Sequence, residues 1–248
     1  MRFRLARNRV AIVSITALVL STVLAAAPQS PTVDDIVAKY LEAKGGADKL
    51  RAITTVKMTG RIKQQAAEIP VVTWAKRPNM MRRENTNEGQ TFVVGFDGKT
   101  VWAINPLMSP VARQISGPAA AMTVQDTDDF DSVLLDYKEK GYQLELVDSD
   151  PVGGVATRHL RVTKKNGRAQ DIYLNAETLL ESRITMDIEQ GGRKGQVATE
   201  FSNYKTVDGI MVPFQIRQTF NGQPVAEVLY TQIQFNTPMD DGLFKMPK

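Results

Sequence analysis

The sequence predicts a mainly β (α+β) domain, an antiparallel sheet with one apolar face and a helix to cover it. Three observations lead there. Apolar and polar residues alternate along 179–235, the period of a half-buried strand. Turn pairs interrupt that alternation at Gly191-Gly192, Asp208-Gly209 and Asn221-Gly222, the chemistry of antiparallel hairpins. One amphipathic stripe, Val33, Ile36, Val37, Tyr40 and Leu41, stands near the start and reads as a helix laid on a sheet.

The chain opens with Arg2, Arg4, Arg7 and Arg9, an apolar run over 10–24 and Ala25-Ala26-Ala27. That is the pattern of a secretory signal, expected to be cleaved near residue 27 and to deliver a soluble periplasmic protein. The run is short for a membrane-spanning helix. No cysteine is present, so neither a lipoprotein anchor nor a disulfide is available. The whole chain carries 31 Lys+Arg against 27 Asp+Glu. All four excess cations lie in the signal, which leaves a balanced domain over 28–248 and no charge argument for nucleic acid. About 220 residues suit one β domain.

The first helix, 31–43, takes Thr32 as N-cap, with Asp34 and Asp35 where the dipole favours anions. Gly45-Gly46 ends it, and a short turn over 47–53 follows. Strands are expected at Val56–Ile62, at Ile69–Ala75 and at Met80–Glu84, with Pro78 separating the last two or breaking one. The stretch GQTFVVGFDGKTVWAIN then reads as a hairpin around Asp97-Gly98, which sets Phe96 opposite Lys99 and Val94 opposite Val101. One face holds Phe92, Val94, Phe96, Val101 and Ala103, the other Val93, Trp102 and Ile104. A sheet apolar on both sides is covered on both, so Trp102 sits under a helix or faces solvent beside a partner.

The strand pattern lapses over 106–139. A loop with a short helical piece is expected to 127, then a helix over Asp128–Lys138 with Phe130, Val133, Leu134 and Tyr137 on one stripe, the candidate lid. Strands resume at Tyr142–Val147, over 157–163, in a stretch closed by Ile172 and Leu174, and over 180–188, for eleven or twelve in all. In the final hairpin, a two-residue turn at Asn221-Gly222 sets Phe220 opposite Gln223, Ile216 opposite Glu227 and Phe214 opposite Leu229. Glu227 would then fall on the apolar face. A buried carboxylate needs a partner, so a head-group or lid contact accounts for it, or else a rim position or a bulge that turns Glu227 outward; the rim or bulge is the better account.

Catalytic patterns are lacking. His159 is the only histidine and falls on the polar face with Thr157, Arg161 and Thr163, as a surface residue. Zinc chemistry has no ligand set. Asp126, Asp128, Asp129 and Asp131 fail the calcium loop, with Phe130 at a ligand position and no glycine at the sixth place. No nucleophile elbow or phosphate loop is found. No cofactor or metal is expected.

Several stretches in order carry a family resemblance: YLEAKGGADKL, KRPNMMRRE, FDGKTVWAIN, DIYLNAETLLESRI, FSNYKTVDGIMVPFQI and DDGLFKMP. Over 31–248 the chain resembles the LolA/LolB-like superfamily of outer-membrane lipoprotein-sorting proteins. The resemblance implies a strongly curved antiparallel sheet of about eleven strands, an unclosed barrel with helices on its concave face. It implies a monomeric, non-enzymatic carrier binding lipid or lipoprotein acyl chains, with an inner-membrane transporter and an outer-membrane acceptor as partners. The candidate cavity residues are then Met58, Ile62, Phe92, Val94, Phe96, Val101, Leu144, Leu160, Ile184, Met186, Phe214, Ile216, Phe220 and Leu229. Two other functions stay open: an envelope-stress sensor that binds lipoproteins, and an exported hydrolase with dispersed carboxylates.

Overall fold

A computed structural model describes residues 31–64, 67–127, 132–148, 150–190 and 193–247. The expected signal at 1–27, the Gly191-Gly192 turn and the stretch from Asp128 to Asp131, with Phe130, lie outside them.

Helices α1 (Val33–Ala43) and α2 (Ala47–Arg51) open the domain. Thr32 caps α1 reciprocally: its hydroxyl accepts from the Asp35 amide at 3.2 Å, and Asp35 Oδ2 accepts from the Thr32 amide at 2.9 Å, satisfying two otherwise orphaned donors. Gly45 then turns the chain at φ +116°, pressed against the Gly209 carbonyl where a Cβ would not fit.

Six strands follow: β1 (Thr55–Gln64), β2 (Ala67–Lys76), β3 (Met80–Asn87), β4 (Gln90–Phe96), β5 (Val101–Asn105) and β6 (Ser109–Gln114). Helix α3 (Pro118–Thr127) lies against β5. After turns over 133–141 come β7 (Gln143–Val147), β8 (Thr157–Thr163), β9 (Ala169–Asn175), β10 (Glu181–Gln190), β11 (Arg193–Val207), β12 (Ile210–Phe220) and β13 (Gln223–Phe235), then a 3-10 turn at Asp241–Phe244. Among the described residues, thirteen strands form one antiparallel sheet in the order β6-β5-β4-β3-β2-β1-β13-β12-β11-β10-β9-β8-β7. The edges β6 and β7 do not pair, so the sheet is a curved, unclosed half-barrel.

The strand that the alternation does not reveal is β6. As an edge strand it pairs with β5 alone, and its one large apolar residue, Val111, is exposed, so no buried face imposes a period of two. The expected helix over Asp128–Lys138 is also corrected. Its described part is a series of turns, with Asp136 at φ +53°, a left-handed conformation that a helix does not accommodate. Arg51 fixes Asp136 there with Nη2 at 2.6 Å and Nε at 3.0–3.1 Å.

Both hairpin registers differ from expectation, with opposite consequences. At Asp97-Gly98 the loop is four residues long, because Asp97 Oδ1 accepts from the amides of Lys99 and Thr100 at 2.9 and 2.7 Å. Phe96 therefore pairs with Val101 and Val94 with Ala103. The slip is two residues, so every side chain keeps its face. At Asn221-Gly222 the two-residue turn pairs Phe220 with Gln223, but a bulge at Gln218/Thr219 shifts the rest by one. Arg217 now faces Glu227, Ile216 faces Val228, and Gln215 faces Leu229. A one-residue shift exchanges faces: Glu227 and Leu229 both turn outward. Glu227 accepts from Gln215 and from Arg217 Nη2 at 3.3 Å.

Candidate functional site: a cavity with a buried ion pair

Packing on the inner face of the sheet is uneven. Over β8 and β9, α1 fills the space: Ile36, Val37 and Tyr40 interdigitate with Leu160, Val162, Ile172 and Leu174, all buried. At the end of the sheet where β1 begins, Leu50, Ile53, Leu135 and Ile210 form a second apolar plug. Between them, over β1 and β10–β13, packing stops short and leaves a cavity of about 450 Å³, within the roughly 300–1,000 Å³ of small-molecule sites. Its walls are apolar for most of their extent.

Of the residues expected at the cavity, Met58, Ile184, Met186 and Ile216 line it, and so do Val133 and Leu134 of the expected lid. The sheet contributes Val56, Phe201, Tyr230, Ile233 and Phe235 as well. The others are elsewhere. Leu160 and Leu144 are taken up by the α1 core. Phe92, Val94, Phe96 and Val101 do share the inner face by register but lie on the β4–β5 wing, away from the cavity. Ile62 and Phe220 lie beyond it toward the far strand ends, half-buried. Phe214 is buried beneath Lys205, whose Nζ sits 4.5 Å from the ring centroid. Leu229 is outside because of the bulge. Tyr137 packs on the core and donates to Asp34, and Phe130 is not among the described residues.

The cavity also has a polar end that the sequence does not announce. Lys44, at the C-cap of α1, sets Nζ 3.3 Å from Glu181 Oε2 at the start of β10. The two side chains are only 9% and 14% exposed. Tyr40 donates its hydroxyl to Glu181 Oε1, and Tyr204 donates to Oε2 at 3.0 Å. Ser132 Oγ lies 2.9 Å from the Tyr40 hydroxyl. Burial by itself would raise the Glu181 carboxyl; the Lys44 ammonium and the two phenols outweigh it and hold the group below the usual carboxylate range. Burial, then the charge of Glu181, drives the Tyr204 phenol far upward, so it stays a donor. Each is a charge-assisted bond, and together they make a buried carboxylate tolerable. The hub joins three of the stretches that carry the family resemblance: YLEAKGG supplies Tyr40 and Lys44, DIYLNAETLLESRI supplies Glu181, and FSNYK supplies Tyr204. A tyrosine within an apolar stripe and a charge beside it were the available signals.

A second polar cluster lies on the outer face and corrects the reading of His159. The ring is 7% exposed, stacked on Tyr173 with centroids 4.4 Å apart. Its Nε2 lies 2.9 Å from Asp171 Oδ1, which also accepts from Arg161 Nε at 2.9 Å. Among the described residues no group of three His, Cys, Asp or Glu is placed to hold a metal ion.

Neither a protein-family model nor a curated protein sequence matches the chain. Solved structures do. A DUF1329 family protein from Desulfovibrio piger superposes with a TM-score of 0.57 at 17% identity, covering 86% of this chain and 97% of that one. A putative outer membrane lipoprotein-sorting protein domain from Vibrio parahaemolyticus gives 0.55 at 14%, covering 85% and 94%. A LolA superfamily protein from Nitrosomonas europaea gives 0.54 at 14%, covering 87% and 98%. The protein has the LolA/LolB-like fold, with thirteen strands where about eleven were expected.

Proposed function

We propose that this protein is a periplasmic carrier that holds acyl chains of lipids or lipoproteins in its cavity and moves them toward the outer membrane. The observation that supports this most is the cavity itself: an open, mostly apolar space between the α1 core over β8 and β9 and the apolar plug where β1 begins. A sixteen-carbon chain gains roughly 12 kcal/mol gross at ~0.8 kcal/mol per methylene, before the costs of ordering it. No specialised polar site is required for that. The fold shared with lipoprotein-sorting proteins, and an export pattern at 1–27 with no cysteine to anchor the chain, support the carrier role and the compartment. No helix among the described residues is long and apolar enough to cross a membrane. The Lys44–Glu181 pair is engaged with itself and with two phenols, which favours a structural hub over catalysis.

An environment-sensitive fatty-acid probe tests the reading. The wild type binds it, and Ile216→Asp, which sets an unpaired charge on the cavity wall, loses the binding while still unfolding cooperatively in urea. Failure of the wild type to bind, or retained binding in Ile216→Asp, overturns it. Native mass spectrometry of protein taken from the periplasm identifies the cargo.

A further inference from the structure

Among the described residues, the large exposed apolar side chains are scattered singly except at one place. Leu107 and Met108, at the tip between β5 and β6, are 72% and 83% exposed, and Val111 just beyond is 62% exposed. Isolated exposed apolar side chains are ordinary; three within five residues are not. The stretch 105–112 reads NPLMSPVA and carries no charge.

The backbone of this tip also has several of its donors satisfied or removed. Pro106 and Pro110 have no N–H to satisfy. The Leu107 amide donates to Asn105 Oδ1 at 3.1 Å, the Met108 amide to the Asn105 carbonyl at 2.9 Å, and the Val111 amide to Ser109 Oγ at 3.2 Å. Ser109 itself pairs with Asn105 in the ladder. Polar turns at Asp97 and Asn175 bond their amides in the same way; at this apolar tip the bonds also leave those donors satisfied in hydrocarbon, where an unmet polar group is costly. The first charge beyond the tip is Arg113, exposed on β6. It stands about 13 Å along the strand from Ser109, at head-group height for an element that enters the interface by ~5–10 Å.

The hairpin projects from a particular end of the sheet. The β3–β4 and β12–β13 turns lie at that same end, by the antiparallel register. The opposite end is closed by Leu50, Ile53, Leu135 and Ile210. The inner face runs from the cavity toward the hairpin's end through half-buried Ile62, Ile188 and Phe220. We propose that the β5–β6 tip is a membrane anchor: Leu107, Met108 and Val111 enter the outer layer of a phospholipid bilayer, Arg113 meets its anionic head groups, and the unplugged end of the half-barrel is brought against the membrane. The inference rests on the hairpin alone and stands whatever occupies the cavity.

Flotation with vesicles of phosphatidylethanolamine and phosphatidylglycerol tests it, with fatty-acid-probe affinity measured on the same samples. The wild type floats with the vesicles. Leu107→Asp/Met108→Asp reduces the bound fraction at least about ten-fold, since carboxylates are among the least tolerated groups in hydrocarbon, and leaves probe affinity unchanged. Val155→Asp, an exposed apolar site between β7 and β8 at the opposite end of the sheet, floats as the wild type does. The proposal fails if the wild type stays with the soluble fraction, or if the double variant floats undiminished. It fails too if the tip instead drives self-association in gel filtration that the double variant abolishes, with no flotation. Loss of probe binding with flotation intact would count against the carrier reading and not against the anchor.

Discussion

On the wing formed by β8–β13, the inner face carries α1 and the turns over 133–141, and their packing leaves the cavity between a solid core and an apolar plug. On the wing formed by β2–β5, the outer face is the one sealed, by the C-terminal 3-10 turn. Trp102 and Phe244 are each 0% exposed. Trp102 Nε1 donates to the Phe244 carbonyl at 2.7 Å, Arg82 lies 5.4 Å from the indole centroid and donates to the Leu243 carbonyl at 3.0 Å, and Lys76 meets Asp241 at 2.6 Å. Gly95 lies flat beneath the indole, where a Cβ would collide with the ring. Trp102 thus sits beneath the 3-10 turn Asp241–Phe244, where a covering helix or a solvent-facing position beside a partner was expected. The difference teaches that a strap from the end of the chain can complete a core to full density, whereas a helix laid across a curved sheet meets only some strands and leaves the rest uncovered.

The largest expected effect separates the two wings by charge. Glu181→Ala strands the Lys44 ammonium inside the cavity wing and costs about 3–5 kcal/mol; adding Lys44→Met recovers most of it, as urea unfolding of the single and double variants will show. Trp102→Ala removes the indole from the strap wing and costs about 3–5 kcal/mol by the same measurement, yet leaves fatty-acid-probe affinity unchanged. Loss of probe binding there would mean that the wings are coupled and the comparison is wrong. Leu134→Ala comes next, at about 2–3 kcal/mol, the low end for a core truncation, because the wall it belongs to already borders empty space; probe binding shifts with it.

Acid sharpens the contrast further. The Glu181 carboxyl is held below its ordinary 4.5, so its contribution is present above that value and is lost as pH falls through the lowered folded value. Glu181→Gln therefore flattens the fall in unfolding midpoint as pH drops below 4.5, whereas Trp102→Ala leaves the slope as it is. The smallest effect belongs to Arg61→Ala. Its pair with Glu68 is exposed on both sides, and no measurable change in stability is expected.

Much of the fold was legible because it is local. The Thr32 cap, the stripe of α1, the positive-φ turn at Asn221-Gly222 (φ +48° and +76°) and most of the strands follow from neighbours along the chain. The site was legible only in part. Met58, Ile184, Met186 and Ile216 stand on alternating strands and on the correct face. Leu160, Phe96 and Val101 satisfy the same rule, yet they do not line the cavity, since periodicity reports a face and cannot report what lies over it. Lys44 and Glu181 are separated by 137 residues, and each reads locally as an ordinary helix-end lysine or strand-edge glutamate.

By itself the sequence determined an antiparallel β domain with a capped helix, turns in the right places and a balanced charge over 28–248, because these depend on composition, backbone preferences and a period of two. Tertiary structure alone decided which stretch of the inner face would stay empty, that a bulge at Gln218/Thr219 would turn Glu227 and Leu229 outward, that Asp136 would break the expected helix, and that Lys44, Glu181, Tyr40 and Tyr204 would meet. Each of these depends on how distant segments share one volume, and a single inserted residue or one long-range ion pair is enough to change the outcome.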